Sequence, residues 1–243
     1  MSLKKTFRKL GSQMTRCYLS LGTGCECPIC GWRGHAFMRR AYANKPADTF
    51  LCPACGSSER HRFAYLALKN RLAALAENTL HFAPEKSIAP WLQSLAKKYL
   101  SVDIASPTAM QKMDITDLRL PDGSFSLVWC SHVLEHIEDD HKALAELYRV
   151  LKPAGVAVIM VPIYGDKTLE DPGITTPEGR LKHFMQEDHV RLYGLDFATR
   201  LAESGFSVEM IRTSDMPAES VKKHGLEYPS TKEIFLCTKP AGI

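Results

Sequence analysis

No run of about 18 apolar residues occurs in this chain of 243, so the sequence predicts no transmembrane helix. The N-terminus also lacks the roughly 7–15-residue apolar core of a secretory signal. No internal repeat is visible. Neither sign of charge is in large excess: a net +4 is too small to argue for a nucleic-acid partner by itself. Acidic residues are absent before Glu26, whereas Lys4, Lys5, Arg8, Lys9 and Arg16 precede it. Setting those five aside leaves the remainder at −1, so the basicity belongs to the tail. Cysteine is scarce after Cys55, where only Cys130 and Cys237 follow. Five of the eight cysteines fall between Cys25 and Cys55, in two close groups. That distribution speaks for metal chemistry in a reducing, cytoplasmic compartment rather than for a disulfide framework.

What is present divides the chain into three. Residues 1–24 place Leu3, Phe7, Leu10 and Met14 at helical spacing among basic residues. Such a segment can pack on its own domain, touch RNA, or lie on a membrane surface through residues 1–16. Residues 25–58 carry Cys27-Pro-Ile-Cys30-Gly31 and Cys52-Pro-Ala-Cys55-Gly56. Each Cys-x-x-Cys knuckle sets two thiolates on one side of a tight turn. Two knuckles close a tetrahedral four-sulfur site with no open position, which is structural zinc chemistry; thiolates alone leave iron as an alternative. The Cys-Pro-x-Cys-Gly symmetry selects Cys27 over Cys25 as the first ligand. Trp32, Arg33, His35, Phe37, Arg39, Arg40 and Tyr42 lie between the knuckles. They read as the ribbon's small core with a solvated rim, or as an RNA-stacking surface.

Residues 59–243 form the third part. A helix is expected over Glu59–Glu77, capped by Ser57 or Ser58 and packed on the ribbon, since no Pro/Gly linker intervenes. From Thr79 strands and helices alternate, the pattern of an α/β, doubly wound, mostly parallel sheet. Expected strands cover 79–83, a stretch ending at Val102-Asp103-Ile104, 110–114, 125–130 and 155–161. Helices are expected over about 87–98, from Asp139 to before Pro153, and 191–203. Phe206–Arg212 and Glu233–Thr238 close the chain as an antiparallel pair. Residues 163–190 show little periodicity.

In such sheets a ligand sits past the carboxyl ends of the strands. The turn Ala83-Pro84-Glu85 leaves the first strand. Asp103, with Ile104 beside it, ends the second, where a carboxylate can accept hydrogen bonds from both ribose hydroxyls of an adenosine. Asp114 ends the third, within reach of an adenine amino group. Ser131 and His132 follow the fourth and face the same crevice. Asp alone is common in turns, but three strand ends in order make a pattern.

The runs Met113–Leu118, Pro121–Val128, Cys130-Ser-His-Val-Leu-Glu-His136 and Leu147-Tyr-Arg-Val-Leu-Lys-Pro-Ala-Gly155 resemble the class I S-adenosylmethionine-dependent methyltransferases, of the type 11 kind. The resemblance covers about 79–240. It implies a seven-stranded sheet with a reversed last strand. It implies that Ala83, Pro84 and Glu85 wrap the methionine end of S-adenosylmethionine, that Asp103 holds the ribose, and that Asp114 with Ile115 frames the adenine. Ser131 and His132 would lie near the sulfonium. His183–His189 with Val190–Gly194 resembles a recurrent feature of zinc-ribbon-bearing members, so 163–190 reads as a substrate lid. The chain departs from the family at the first turn. His81 stands for the usual acid, Ala83 for the first glycine of Gly-x-Gly, and Glu85 for the second. Glu85 then either greets the cofactor's ammonium group or blocks it.

Methyl transfer from a sulfonium is an in-line displacement that asks the protein mainly for alignment. A base is needed only for an acceptor that must lose a proton; His132, His183 and His189 are candidates, with His132 and His189 preferred. His132-Val-Leu-Glu135-His136 also matches the inverted zinc-protease pattern, but it begins at a strand end, whereas that chemistry needs a helix and a third ligand. Tyr148-x-x-x-Lys152 matches a dehydrogenase pair, yet the glycine fingerprint of a dinucleotide site is absent. The reading reached is a zinc-ribbon methyltransferase acting on a small molecule or glycan. The alternatives are RNA as acceptor, or a non-catalytic binding protein with a degenerate cofactor site.

Overall fold

The structure, a computed structural model, describes residues 13–40, 49–227 and 232–242. The sequence expectations for residues 1–12 and for Tyr42 fall outside these. Residues 13–19 are helical, and Met14 on them is exposed.

Seven strands make the central sheet. They are β5 (Asn78–Phe82), β6 (Lys98–Asp103), β7 (Gln111–Lys112), β8 (Phe125–Ser131), β9 (Leu151–Met160), β12 (Ser207–Arg212) and β13 (Glu233–Thr238). Their order is β7-β6-β5-β8-β9-β13-β12. Neighbours from β7 to β9 run parallel, and β13 runs antiparallel to both β9 and β12. The sheet is therefore doubly wound and mostly parallel, as the alternating pattern predicts. Its order reverses between β5 and β8, and that switch point is where open α/β sheets leave a crevice.

Side chains alternate across the strands and both faces are covered, which is why the strands read as continuous apolar runs. On one face Leu80, Val128, Cys130, Ala157 and Ile159 pack on α3 (Asp140–Val150) and α5 (Phe197–Glu203). On the other Leu127, Trp129, Val158 and Met160 pack on α1 (Glu59–Leu72) and α2 (Ala89–Leu95).

Several boundaries differ from the sequence expectation: β9 begins at Leu151 rather than 155, β7 covers only Gln111–Lys112 of 110–114, and α2 covers Ala89–Leu95 of 87–98. Helix α1 stops at Leu72, not Glu77, because the Leu72 carbonyl takes both Leu75 N and Ala76 N and tightens the chain toward β5. The expected helix 191–203 begins only at Phe197, because Arg191–Leu192 (β11) pairs with Leu169–Glu170 (β10). Within 163–190 lies a short helix α4 (Pro177–Phe184), capped by Thr176, whose Oγ1 accepts from Gly179 N.

The ribbon is two hairpins, β1 (Cys25–Glu26) with β2 (Arg33–Gly34) and β3 (Met38–Arg40) with β4 (Thr49–Leu51). It packs directly on the sheet domain. Arg62 of α1 is 0% exposed and donates to the carbonyls of Phe50, Ser57, His224 and Gly225, with its guanidinium 3.8 Å from the Phe37 ring centroid. His224 and Gly225 follow helix α6 (Ala218–Lys223), so one buried cation ties ribbon, helix and C-terminal region together.

Candidate cofactor edge and metal centres

The sulfurs of Cys27, Cys30, Cys52 and Cys55 lie within 4.8 Å of one another. Cys27 and Cys55 are 3.7 Å apart, as are Cys30 and Cys52. A tetrahedral ion with metal–sulfur bonds of about 2.3 Å needs sulfurs roughly 3.8 Å apart, so the four thiols fit such an ion. The knuckles close as their sequence demands. Gly31 N donates to Cys27 O and Gly56 N to Cys52 O, both at 2.9 Å, with φ of +73° and +74° at the two glycines. Only glycine takes that conformation without strain. Ser57 Oγ lies 3.3 Å from Cys27 Sγ and 3.2 Å from Cys55 Sγ. Cys25 is outside the cluster, its thiol facing His35 O at 3.5 Å. Trp32 and Phe37 pack together in the ribbon's core.

At the switch point the chain leaves β5 through Ala83, which has φ +47°. Alanine there adopts a conformation favouring glycine and carries its cost of about 1–2 kcal/mol. Its amide still extends the ladder, donating to Val102 O at 3.0 Å.

Glu85 does not face the crevice as a free carboxylate. Its side chain is 12% exposed and turns under the loop, with Oε2 2.7 Å from His81 Nε2 and Oε1 3.7 Å from His61 Nε2. His61 Nδ1 accepts from Ser58 N at 3.1 Å, which places its proton on Nε2, toward Glu85. His81 Nδ1 lies 2.8 Å from the Tyr99 hydroxyl. Burial opposes ionisation of Glu85, but His61 and His81 outweigh it and hold the carboxyl below its ordinary range. Burial lowers His61 against the pull of Glu85 and pushes Tyr99 up to about 12. The acid that the resemblance places on the strand is thus replaced by a histidine, with its carboxylate supplied four residues later.

Asp103, half-buried, spends Oδ1 on the amides of Ala105 and Ser106, at 2.7 and 2.6 Å. Its second oxygen has no such duty among the described residues. Asp114 is exposed, and its Oδ1 accepts from Thr116 N at 2.8 Å and Thr116 Oγ1 at 2.9 Å. Ile104 (59% exposed), Met113 and Asp114 line a cleft of about 360 Å³ at the ends of β6 and β7. Ile115 points its side chain into the core, so only its backbone is left to frame a ligand. Ser131 Oγ and Arg60 Nε are buried without a hydrogen-bond partner among the described residues. An adenosine fits this edge: a glycine-like turn, a strand-end carboxylate with an oxygen to spare, a cleft beyond it, and unpaired buried donors.

The two preferred histidines meet around Glu135, a member of the Cys130–His136 run. His132 has φ +55° and Nδ1 3.1 Å from Glu135 Oε1. Burial and Arg60 lower its basicity against the pull of Glu135. Glu135 sits in a short 3-10 turn, Leu134–His136. His189, 1% exposed, lies beside Glu135 because Val190 N donates to Glu135 O at 2.9 Å. Burial lowers its basicity as well. His183 is exposed on α4. The sequence signal for this grouping was the His-x-x-Glu-His spacing; its third member lay beyond what spacing can reach. Arg60 and His61 carry no strand-end signal, because they lie on α1 ahead of the first sheet strand.

Comparison with known proteins agrees with the resemblance. The family model described as a methyltransferase domain matches residues 73–159. An uncharacterized 37.1 kDa protein in transposon TN4556 of Streptomyces fradiae is 32% identical over 100 residues, 40% of this chain and 29% of that protein. A probable S-adenosylmethionine-dependent methyltransferase of Mycolicibacterium smegmatis is 32% identical over 97 residues, 40% of this chain and 34% of that one. The chain thus spans about a third of the length of these curated relatives. The crystal structure of an S-adenosylmethionine-dependent methyltransferase from Mesorhizobium loti superposes with a TM-score of 0.54 at 15% identity, over 72% of this chain and 97% of that one. At that identity the likeness shows the fold.

Proposed function

We propose that this chain, which carries a methyltransferase domain over residues 73–159, is an S-adenosylmethionine-dependent methyltransferase whose acceptor is a small molecule or glycan. The observation that carries the reading is the alignment of strand-end polar groups along one edge of the sheet, at its switch point, inside the matched segment. Asp103 offers its unused oxygen to the ribose. Asp114 and the Ile115 backbone border the cleft for the base. The Ala83–Pro84 turn and Ser131 flank the methionine end, and Arg60 is a cationic donor for its carboxylate. Glu85 supports this turn from beneath, through His81 and His61. When bound, S-adenosylmethionine supplies an electrophilic methyl group. The chain's own task is to align the acceptor, exclude water and take a proton, for which His132 and His189 are the candidates. Residues 163–190, which carry β10 and α4, would cover the acceptor as a lid.

Trp32 and Phe37 pack in the ribbon's own core, which speaks for the reading of these residues as core rather than as an RNA-stacking surface. In the ribbon, Cys27, Cys30, Cys52 and Cys55 would hold a structural zinc ion.

Calorimetry with the metal-loaded protein tests the reading. S-adenosylmethionine should bind. Asp103→Asn should keep the loop bonds to Ala105 and Ser106 while placing an amide against the ribose hydroxyls. Losing a hydrogen bond to a charged group costs about 1.5–3 kcal/mol, so affinity should fall roughly 10- to 100-fold. No heat from the folded wild type would sink the methyltransferase reading, and unchanged affinity in the variant would remove the ribose role.

A further inference from the structure

We propose that Glu135, His136 and His189 form a second metal site, for a divalent first-row transition ion, at the acceptor side of the crevice. One ligand atom from each lies within 4.8 Å of the others. Two buried atoms in this group are orphans. Glu135, whose side chain is 2% exposed, meets His132 Nδ1 with Oε1 at 3.1 Å, while its Oε2 and His189 Nδ1 have no hydrogen-bond partner among the described residues. A buried carboxylate oxygen and a buried imidazole nitrogen left without partners are costly. A cation between them removes that cost for both.

The outer contacts are those that ligating histidines keep. A metal-bound imidazole donates its other N–H to a carboxylate, a carbonyl or similar group. His136 Nδ1 lies 3.2 Å from Asp188 O and 3.3 Å from Asp188 Oδ2, which leaves Nε2 as its ligand atom. His189 Nε2 lies 2.6 Å from the side-chain amide of Gln186, which leaves Nδ1. Amide nitrogen and oxygen are interchangeable in such an assignment, and with the oxygen facing the ring, Nε2–H donates and Nδ1 carries the lone pair. The rings of His136 and His189 stand 4.8 Å apart and nearly perpendicular. Asp188 and Gln186 come from the segment before β11, whereas Glu135 and His136 follow β8. The Val190 N to Glu135 O bond clamps the two segments together.

Two histidines and one carboxylate suit Zn²⁺, Fe²⁺ or Mn²⁺, and three protein ligands leave coordination positions open. This contrasts with the closed four-sulfur ribbon. The site starts four residues past Ser131, at the sheet edge assigned to the cofactor. Resting on the methyltransferase reading, the open positions would take an acceptor oxygen and lower its pKa. That points to a hydroxylated acceptor, with His189 committed to the ion.

The test uses full-length protein with zinc-filled ribbon, its stoichiometry fixed by elemental analysis. Mn²⁺ is titrated by electron paramagnetic resonance and Co²⁺ by visible absorption. Wild type should take one further equivalent, with a cobalt spectrum free of thiolate charge transfer. Glu135→Gln and His189→Asn should each weaken binding about 100-fold or more, while circular dichroism and ribbon zinc content stay as in wild type. His136→Asn serves if either variant fails to fold. Absence of a further equivalent, or equal affinity in the folded variants, overturns the site. Calorimetry with S-adenosylmethionine in parallel separates the readings. Cofactor binding without a second ion defeats this inference alone; a second ion without cofactor binding defeats the function and leaves the site.

Discussion

At the scale of single residues, Glu85 is where sequence and structure diverge most usefully. Spacing alone left it as a contact to the cofactor's ammonium group or an obstruction. In the structure its carboxylate is engaged under the turn instead, 2.7 Å from His81 Nε2 and 3.7 Å from His61 Nε2. His61 lies 24 positions earlier in the chain, so no local pattern could have reported the pairing. The strand-end aspartates were legible because their placement follows from strand length. Glu85→Gln should remove the ionised partner that His81 Nε2 meets at 2.7 Å and weaken the longer 3.7 Å pair with His61, a loss of about 1–3 kcal/mol. For a domain of this size that is a fall of roughly 2–12 °C in Tm at pH 7. The pH dependence has a definite sign. Glu85 is lowered in the folded state, so its contribution is full above the ordinary carboxyl value of 4.5 and is lost as pH falls through the folded value. His61 is also lowered, so its contribution is full above 6.5 and declines on acidification. Wild type should therefore lose stability below about pH 6.5, and the gap between wild type and Glu85→Gln should narrow at and below pH 4. Thermal melts across that range check it; a gap that stayed constant would show that the carboxylate is not the stabilising group.

At the scale of elements, the sheet was readable and the segment 163–190 was not. Apolar runs and strand-end polar residues announce buried parallel strands. The 163–190 segment owes its order to long-range charge pairs instead. Asp140, at the start of α3, accepts from Tyr193 Oη at 2.6 Å and Arg200 Nη1 at 2.7 Å. Arg191 Nε donates to Glu170 Oε2 at 2.9 Å, and its Nη2 to Glu138 O at 2.9 Å. These contacts tie β10 and β11 to the turn that carries Glu135. A local signal for α4 did exist, in Thr176 as cap and Pro177 at the first helical position, but the helix is too short for periodicity to show. Arg191→Met keeps much of the volume and removes the donors. Breaking a buried ionic network from one side costs about 3–5 kcal/mol, which is a fall of roughly 6–20 °C in Tm. Proteolysis of the variant should cut first within 163–190. A Tm within a degree or two of wild type would show that the network does not fix this segment.

At the scale of the whole molecule, the ribbon is mechanically continuous with the cofactor edge. The second knuckle ends at Gly56; Ser57 touches two of the sulfurs, and Ser58 caps α1. One turn later His61 reaches Glu85, and Glu85 holds His81 at the end of β5. Between them Arg62 anchors the same helix to Phe50 of the ribbon and to His224 and Gly225. So small a module has little core, and a metal held by its four thiolates would supply its folding energy. The sequence showed both parts, yet their coupling was hidden, because it runs through a buried arginine and histidine that look like ordinary helix residues. Emptying the ribbon should therefore release the start of α1 and loosen the turn at Ala83, some distance from the sulfurs. Chelation, or Cys30→Ser, should weaken S-adenosylmethionine binding by about 10-fold or more, equivalent to roughly 1.4 kcal/mol of lost preorganisation. The main unfolding transition of the sheet domain should persist, since its two apolar layers are built mainly from the sheet domain, with Ile29 the ribbon residue packed against them. Calorimetry on metal-loaded and metal-depleted protein, with a melt of each, reads both quantities. Equal cofactor affinity in the two forms would make the ribbon a passenger, and its function would then have to be sought on its outer surface.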